Sequence, residues 1–365
     1  MIPAARMTIA LGTASAYSAF PSAWYHLVQD ETGWRWTTSV LFAAHGVAQV
    51  VAMTLLARPG VATRLAGRAA GAAVAVLLLA DAVGAALLAA APAPGGFALL
   101  LVGRVVTGVA LGALTTLATG FLARGRHGTG LATVAILGAV GVGSLTAGAL
   151  AASGWSRSGV LALGLVLLPA AAWLVHTAST GSRVRVPVPA GNPATPGKQV
   201  APVPAAPGDD DERGPDPGVG RGLAVPVVVA FLANGVLGLF CSTLPGVIAG
   251  LAGGASAVAG ATTGLVMVSA GGARLLLARV PARPVAVVTA LAAVVGVAAE
   301  IAALAAGHVV GALTAAALLG AAAGVGFDTA LRSARRHGVP ALARVQRGGQ
   351  LGLVLPVLAY PVVAG

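Results

Sequence analysis

Several side chains able to carry a proton or a charge are isolated inside long apolar stretches of this chain. Arg104 stands in LLVGRVVTGVALG, residues 100–112, and Asp81, His45 and Glu300 have comparably aliphatic surroundings. An ionisable group at the centre of such a stretch costs about 2.5–3.5 kcal/mol on insertion scales, so each is a candidate for function. A guanidinium stays charged and grips a carboxylate in a bidentate pair; the alternative for Arg104 is a structural arginine snorkelling outward. Asp81, near the middle of its stretch, is placed for proton exchange, or else is a neutral packing group. His45 carries the one side chain that ordinarily titrates near neutrality, though a lone histidine of this kind often only packs. Glu300 reads as a second proton site or as an interfacial group reaching water. Asp328 and Arg332 lie one helical turn apart, the spacing of a local ion pair. Tyr17 and Asn234 are expected to offer hydrogen bonds to a ligand in a central cavity.

No constellation for bond-making chemistry accompanies them. There is no phosphate-cradling GxxxxGK[ST] loop, no His/Cys/carboxylate spacing for a metal, and no serine with a plausible His and Asp partner. The single Cys241 excludes an intramolecular disulfide and a multi-cysteine metal site, and packing is its expected role. The reading is therefore of a non-enzyme without cofactor or metal.

The elements that position these groups are eleven apolar stretches, spanning 8–28, 37–57, 69–90, 97–122, 129–152, 158–178, 223–248, 256–277, 284–306, 308–331 and 346–364. Each is long enough to cross a hydrocarbon core as a helix, which needs about 20 residues. They lack the alternation of barrel strands, and a helix satisfies its own backbone groups in lipid. Only 9% of the residues are charged and the mean hydropathy is +0.91. A soluble surface needs roughly 25%.

Basic residues fall in every second gap. Arg58, Arg64 and Arg68 share one, Arg124 and Arg126 the next, then Arg183, Arg185, Lys198, Arg213 and Arg221. Arg274, Arg279 and Arg283 follow, then Arg332, Arg335, Arg336, Arg344 and Arg347, while the intervening gaps hold only Arg35 and Arg157. Basic loops stay on the cytoplasmic side, which predicts an integral protein of a bacterial plasma membrane with its N-terminus inside. The net charge of +12 is thus a topology signal and does not call for nucleic acid. Trp24, Tyr25, Trp34, Trp36 and Trp155 are expected to form an aromatic belt at the outer interface. The first stretch, too long for a signal-peptide core, is expected to be retained.

Residues 1–181 form a predicted six-helix bundle and 223–365 a five-helix bundle. The Pro- and Gly-rich segment 182–222, with its run Asp209-Asp210-Asp211-Glu212-Arg213, reads as a disordered cytoplasmic linker. The halves echo each other: Phe20-Pro21-Ser22 with Leu244-Pro245-Gly246, and Leu55-Leu56-Ala57-Arg58 with Leu276-Leu277-Ala278-Arg279. Gly108, Gly112, Gly143 and Gly148 are predicted helix-packing positions, since small residues let backbones approach closely in lipid.

The stretch from Leu100 through Arg104 and Gly108 to Gly112 resembles the fourth helix of major facilitator superfamily transporters. Arg64, Gly67 and Arg68 resemble that family's signature loop, with Thr63 where an Asp is usual. Gly143-Ser144-Leu145-Thr146-Ala147-Gly148 is similar to its antiporter motif, with Ser144 in place of proline. Gly324 through Arg347-Gly-Gly-Gln to Pro356 resembles its tenth-to-eleventh helix passage.

The resemblance implies an all-α polytopic membrane protein of two pseudo-repeated bundles, 6 + 5, that works by alternating access. It further implies a monomer exporting a small apolar or amphiphilic compound in exchange for protons, with Arg64, Gly67 and Arg68 as a conformational switch. The family has twelve helices, so the resemblance also implies a relative lacking the twelfth. A non-transporting scaffold or receptor of the same fold is the alternative, and a membrane enzyme comes third.

Overall fold

The computed structural model describes residues 3–34, 36–56, 70–92, 95–122, 128–181, 217–277, 282–337 and 339–364. All regular structure in them is helical. Among the described residues these helices group into eleven passes, called crossings. The first is broken: α1 (Ala4–Ser18), a 3-10 segment (Phe20–Trp24) and α2 (Tyr25–Thr32). Single helices follow: α3 (Thr37–Leu56), α4 (Ala70–Ala90), α5 (Phe97–Leu122) and α6 (Gly128–Ala152). The sixth crossing divides into α7 (Arg157–Ala162) and α8 (Gly164–Gly181), and the seventh into α9 (Pro217–Ser242) and α10 (Leu244–Leu251). The rest are α11 (Ser256–Leu276), α12 (Ala282–Ala305), α13 (Val309–Arg335) and α14 (Val339–Ala364). Nine crossings are long and apolar enough to span a bilayer among the described residues. The other two are the broken first and the last, which carries Arg344 and Arg347 in its opening turns. We call basal the end at which α1 begins and apical the opposite end.

Pro21 and Pro245 sit at the breaks of the first and seventh crossings, each in the opening turn of the second segment. Proline lacks the donor that an unbroken helix would need there. The paired proline motifs therefore mark equivalent kinks, as a repeat requires. Packing shows the repeat more sharply. On α5, Gly108 abuts the His45 carbonyl and Gly112 abuts the Gln49 backbone. On α13, Gly320 abuts the Val266 carbonyl and Gly324 the Ala270 backbone. The α3 positions recur on α11 displaced by 221 (45 to 266, 49 to 270), and the α5 glycines recur on α13 displaced by 212 (108 to 320, 112 to 324). Both halves dock the same two helices through two glycines one turn apart.

Two helix pairs join the halves: α6 with α11 and α3 with α14. The first is a seam of small residues, with Gly148 on Gly260, Gly141 on Gly264 and Val268, and Gly138 on Gly271. Gly143 instead packs within the first half, against the Ala16 backbone. At the other junction Gly46 abuts Val354. At the periphery, α12 exposes Val287, Leu291, Val294 and Ile301 by more than 60% each, the surface of a lipid-facing helix.

Two expectations need correction. Trp24 and Tyr25 are buried in the first half, not in an outer belt; Trp34 and Trp155 are exposed. The kink at residues 19–24 turns those two rings inward, which position along the stretch does not reveal. The second half also begins earlier than residue 223, since α9 starts at Pro217. Proline is favoured in a first helical turn, where its missing donor leaves no bond unmade. The rest of segment 182–222 lies outside the described residues.

A Cβ at Gly112 would lie 2.6 Å from the Gln49 carbonyl oxygen, whereas one at Gly120 meets nothing within 4 Å. Gly112→Ala should therefore destabilise by about 1–3 kcal/mol as overpacking. Gly120→Ala should hold or raise stability by up to about 1 kcal/mol through helix propensity. Thermal melts of the two variants in detergent check this pair; a Gly112→Ala melt equal to wild type would refute the close docking.

Candidate functional site

Within the first half, the break after α1 leaves backbone carbonyls without helical partners. Arg104 of α5 answers one of them: its Nη1 donates to the Ser18 carbonyl at 2.8 Å, and its guanidinium carbon lies 5.8 Å from the centre of the Tyr25 ring. A cation at a helix C-terminus also meets the negative end of the helix dipole. Arg104 is only 3% exposed, so it does not snorkel. Its Nε has no hydrogen-bond partner.

Asp81 of α4 is buried, and one carboxylate oxygen is without a partner among the described residues. It lies near enough to Arg104 for their charges to interact, without a direct ion pair. His45 joins the same region. Its Nδ1 lies 3.3 Å from the Arg104 carbonyl and 3.2 Å from the Thr107 hydroxyl, while its Nε2 is 2.9 Å from the Gln49 amide nitrogen. Tyr17 donates to the Leu161 carbonyl at 3.0 Å. It thus braces α1 against α7 inside the bundle, and does not line a central cavity. Four of the sequence candidates, Arg104, Asp81, His45 and Tyr17, thus form a polar cluster in the first half's core.

The recess between the halves is elsewhere, toward the basal ends. It holds about 530 Å³ of empty space, part of it open solvent. Thr115 and Thr119 of α5, Thr133 of α6, Asn234 of α9, and Gln346 and Gln350 of α14 supply its polar wall. Aliphatic side chains, Met53 and Phe327 supply the rest. Among the described residues that line it, none is ionisable. Of the sequence candidates among the described residues, only Asn234 reaches it. The amides of α14 were not anticipated. Gln350 stands between Gly349 and Leu351, an available signal, whereas Gln346 adjoins Arg347 and is masked by its charge; uncharged groups cost less in lipid and stand out less.

Toward the basal end of the second half, Asp328 pairs with Arg332 at 2.7 Å, as the one-turn spacing predicted. It also pairs with Arg274 of α11 at 2.6 Å, and Arg274 is 5% exposed. At the apical end Arg157 pairs with Glu31 at 3.0 Å and also donates to the Ala91 and Pro92 carbonyls, tying α7 to the loop before α5. Glu300 is buried on α12 with neither oxygen partnered, and α12 packs chiefly on α13. Glu300 therefore shares no cavity with Arg104 and Asp81. Arg64, Gly67 and Arg68 lie outside the described residues. Cys241 is buried, in keeping with a packing role. Among the described residues no group of three or more His, Cys, Asp or Glu is arranged to hold a metal.

No protein-family model matches the chain, and no curated protein matches it in sequence. Solved structures do. A crystal structure of a bacterial homolog to the human lysosomal transporter Spinster, in an inward-facing and unoccupied conformation, superposes with a TM-score of 0.64. The match covers 97% of this chain and 80% of that one, at 14% identity. The two chains share a fold. That fold is the polytopic two-bundle architecture implied by the resemblance in sequence.

Removing one partner of a buried ion pair strands the other charge, at about 3–5 kcal/mol. Asp328→Asn should therefore lower the thermal midpoint sharply, and the additional change Arg274→Met should recover part of the loss. An Asp328→Asn melt unchanged from wild type would contradict a buried pair.

Proposed function

We propose that this chain is a secondary transporter that moves a small compound across a bacterial plasma membrane by alternating access. The observation that carries the reading is a recess between two pseudo-repeated bundles that opens toward the basal end. Above it, α6, α11 and the 3-10 segment close the apical side. With the arginine-rich loops on the cytoplasmic side, the recess faces the cytoplasm. The shared fold with a transporter in an inward-facing state supports the same conformation here. Binding sites at the interface of two repeats, exposed by rocking one against the other, are the common design of such folds. The chain has no phosphate-cradling GxxxxGK[ST] loop, in keeping with a carrier driven by a gradient rather than by its own ATP hydrolysis.

Protons are the proposed coupling ion and export the proposed direction, with the chain acting as a monomer. Asp81 is the proposed coupling group. It is a buried carboxyl with an unpartnered oxygen, within electrostatic reach of Arg104. Arg104 in turn holds the end of α1 through Ser18. A proton arriving on Asp81 cancels the attraction between the two and so changes the balance of forces at the kink of the first crossing. Arg104 acts here as a positioning residue and does not bind the substrate.

In vesicles containing the purified chain, an imposed pH gradient should drive uptake of a labelled uncharged amphiphile. Asp81→Asn should cut the gradient-driven rate at least tenfold while leaving gradient-independent exchange. Arg104→Lys, which keeps the charge, should retain more activity than Arg104→Ala. Equal gradient-driven rates in wild type, Asp81→Asn and protein-free vesicles would refute the proposal.

A further inference from the structure

Resting on that transport reading, we infer that the compound accepted by the basal recess is an uncharged amphiphile: an apolar body with a neutral, hydrogen-bonding head. The wall of the recess carries the argument from two sides.

The first side excludes charge. A buried ion requires an opposite charge or a dense set of hydrogen bonds, because leaving water costs several kcal/mol even after relaxation. Among the described residues the recess offers no ionisable lining side chain. The nearest charges on α13 turn away from it: Phe327 and Leu331 line the wall, while Asp328, between them in sequence, is committed to Arg274 and Arg332. Arg347, beside Gln346, donates its Nε to the Ala343 carbonyl. Among the described lining residues a cation would find no carboxylate, and an anion no guanidinium or ammonium.

The second side excludes a purely apolar ligand. Asn234, Gln346 and Gln350 project three amides into the recess from two helices, and none of the three makes a side-chain hydrogen bond within the described residues. The Gln350 carbonyl oxygen and the Thr119 hydroxyl are fully covered and unpartnered, and Thr119 is itself only 4% exposed. Each amide offers two donors and an acceptor oxygen with two lone pairs. A ligand without polar atoms would displace water and leave these groups unmade, at about 1–3 kcal/mol apiece. A head bearing hydroxyls or amides satisfies them, and Phe327 with the aliphatic wall takes the body.

Four hexyl compounds of similar size separate the possibilities: hexyl glucoside (neutral polar), hexyl glucuronide (anionic), hexyl glucosaminide (cationic) and hexyl benzene (apolar). The full chain in neutral-lipid nanodiscs should bind the glucoside at least tenfold more tightly than the other three, read by ligand-dependent shift of the thermal midpoint. Asn234→Leu and Gln350→Leu should each reduce glucoside affinity at least tenfold and improve hexyl benzene. The wild-type ranking is independent of whether those variants fold. A charged or apolar member binding as well as the glucoside, or no member binding, overturns the inference. Binding in the expected order without flux in vesicles would instead overturn the transport reading and leave the ligand class standing. Flux of a charged member at the glucoside's rate would do the reverse.

Discussion

Two helices in hydrocarbon gain little by burying apolar surface against one another, since lipid tails are equally apolar. Their association rests on how closely the backbones approach. Here the approach is made by glycine at each principal junction. Gly108 and Gly112 set α5 on α3, and Gly320 and Gly324 set α13 on α11. Within the halves these contacts are reinforced by polar groups, as where His45 meets the Arg104 carbonyl and Thr107, or Arg274 meets Asp328. The α6–α11 seam between the halves has glycine against glycine at Gly148–Gly260 and Gly141–Gly264. No ion pair among the described residues crosses it. A junction made chiefly by close packing of small residues can part without separating an ion pair among the described residues.

The two halves have diverged where charge is concerned. By the same displacements that align the glycines, Arg104 of the first half corresponds to Ala316 of the second. Arg274 and Asp328 of the second correspond to Met53 and Thr116 of the first. The first half buries Arg104 and Asp81 away from the recess and presents Met53 to it, while the second ties Arg274, Asp328 and Arg332 into an ion-pair cluster toward the basal end. Among the described residues the recess between them has no ionisable lining group. The first half thus buries a carboxyl without a direct ion pair, Asp81, while the second pairs Asp328 with two arginines and leaves Glu300 of α12 unpartnered among the described residues.

Much of the fold was legible in the sequence because bilayer thickness sets the length of each apolar run. The repeat was legible at Pro21 and Pro245, since a missing donor must fall at a break. The Asp328–Arg332 pair was legible because one helical turn is a local rule. Arg274, on another helix, obeys no local rule and was read only as a loop-side charge. Trp24 and Tyr25 were misread because a kink reverses the face presented by residues near the end of a stretch. The candidate site was half legible. Charged residues advertise themselves in an apolar run, and they lie in the first half's core. Gln346 and Gln350 line the recess, and their register is fixed by α14 packing on α9 and α3, which no single stretch discloses.

Parting of the α6–α11 seam is most directly observed as a distance across its apical end. With Cys241 replaced by serine, spin labels at Ser153→Cys and Leu251→Cys would report it in lipid by pulsed electron resonance. The expected distribution has two populations, a short one for the sealed apical end seen here and a longer one that gains weight when the pH is lowered. A single short distance, unchanged by pH and by an uncharged amphiphile, would contradict alternating access in this protein.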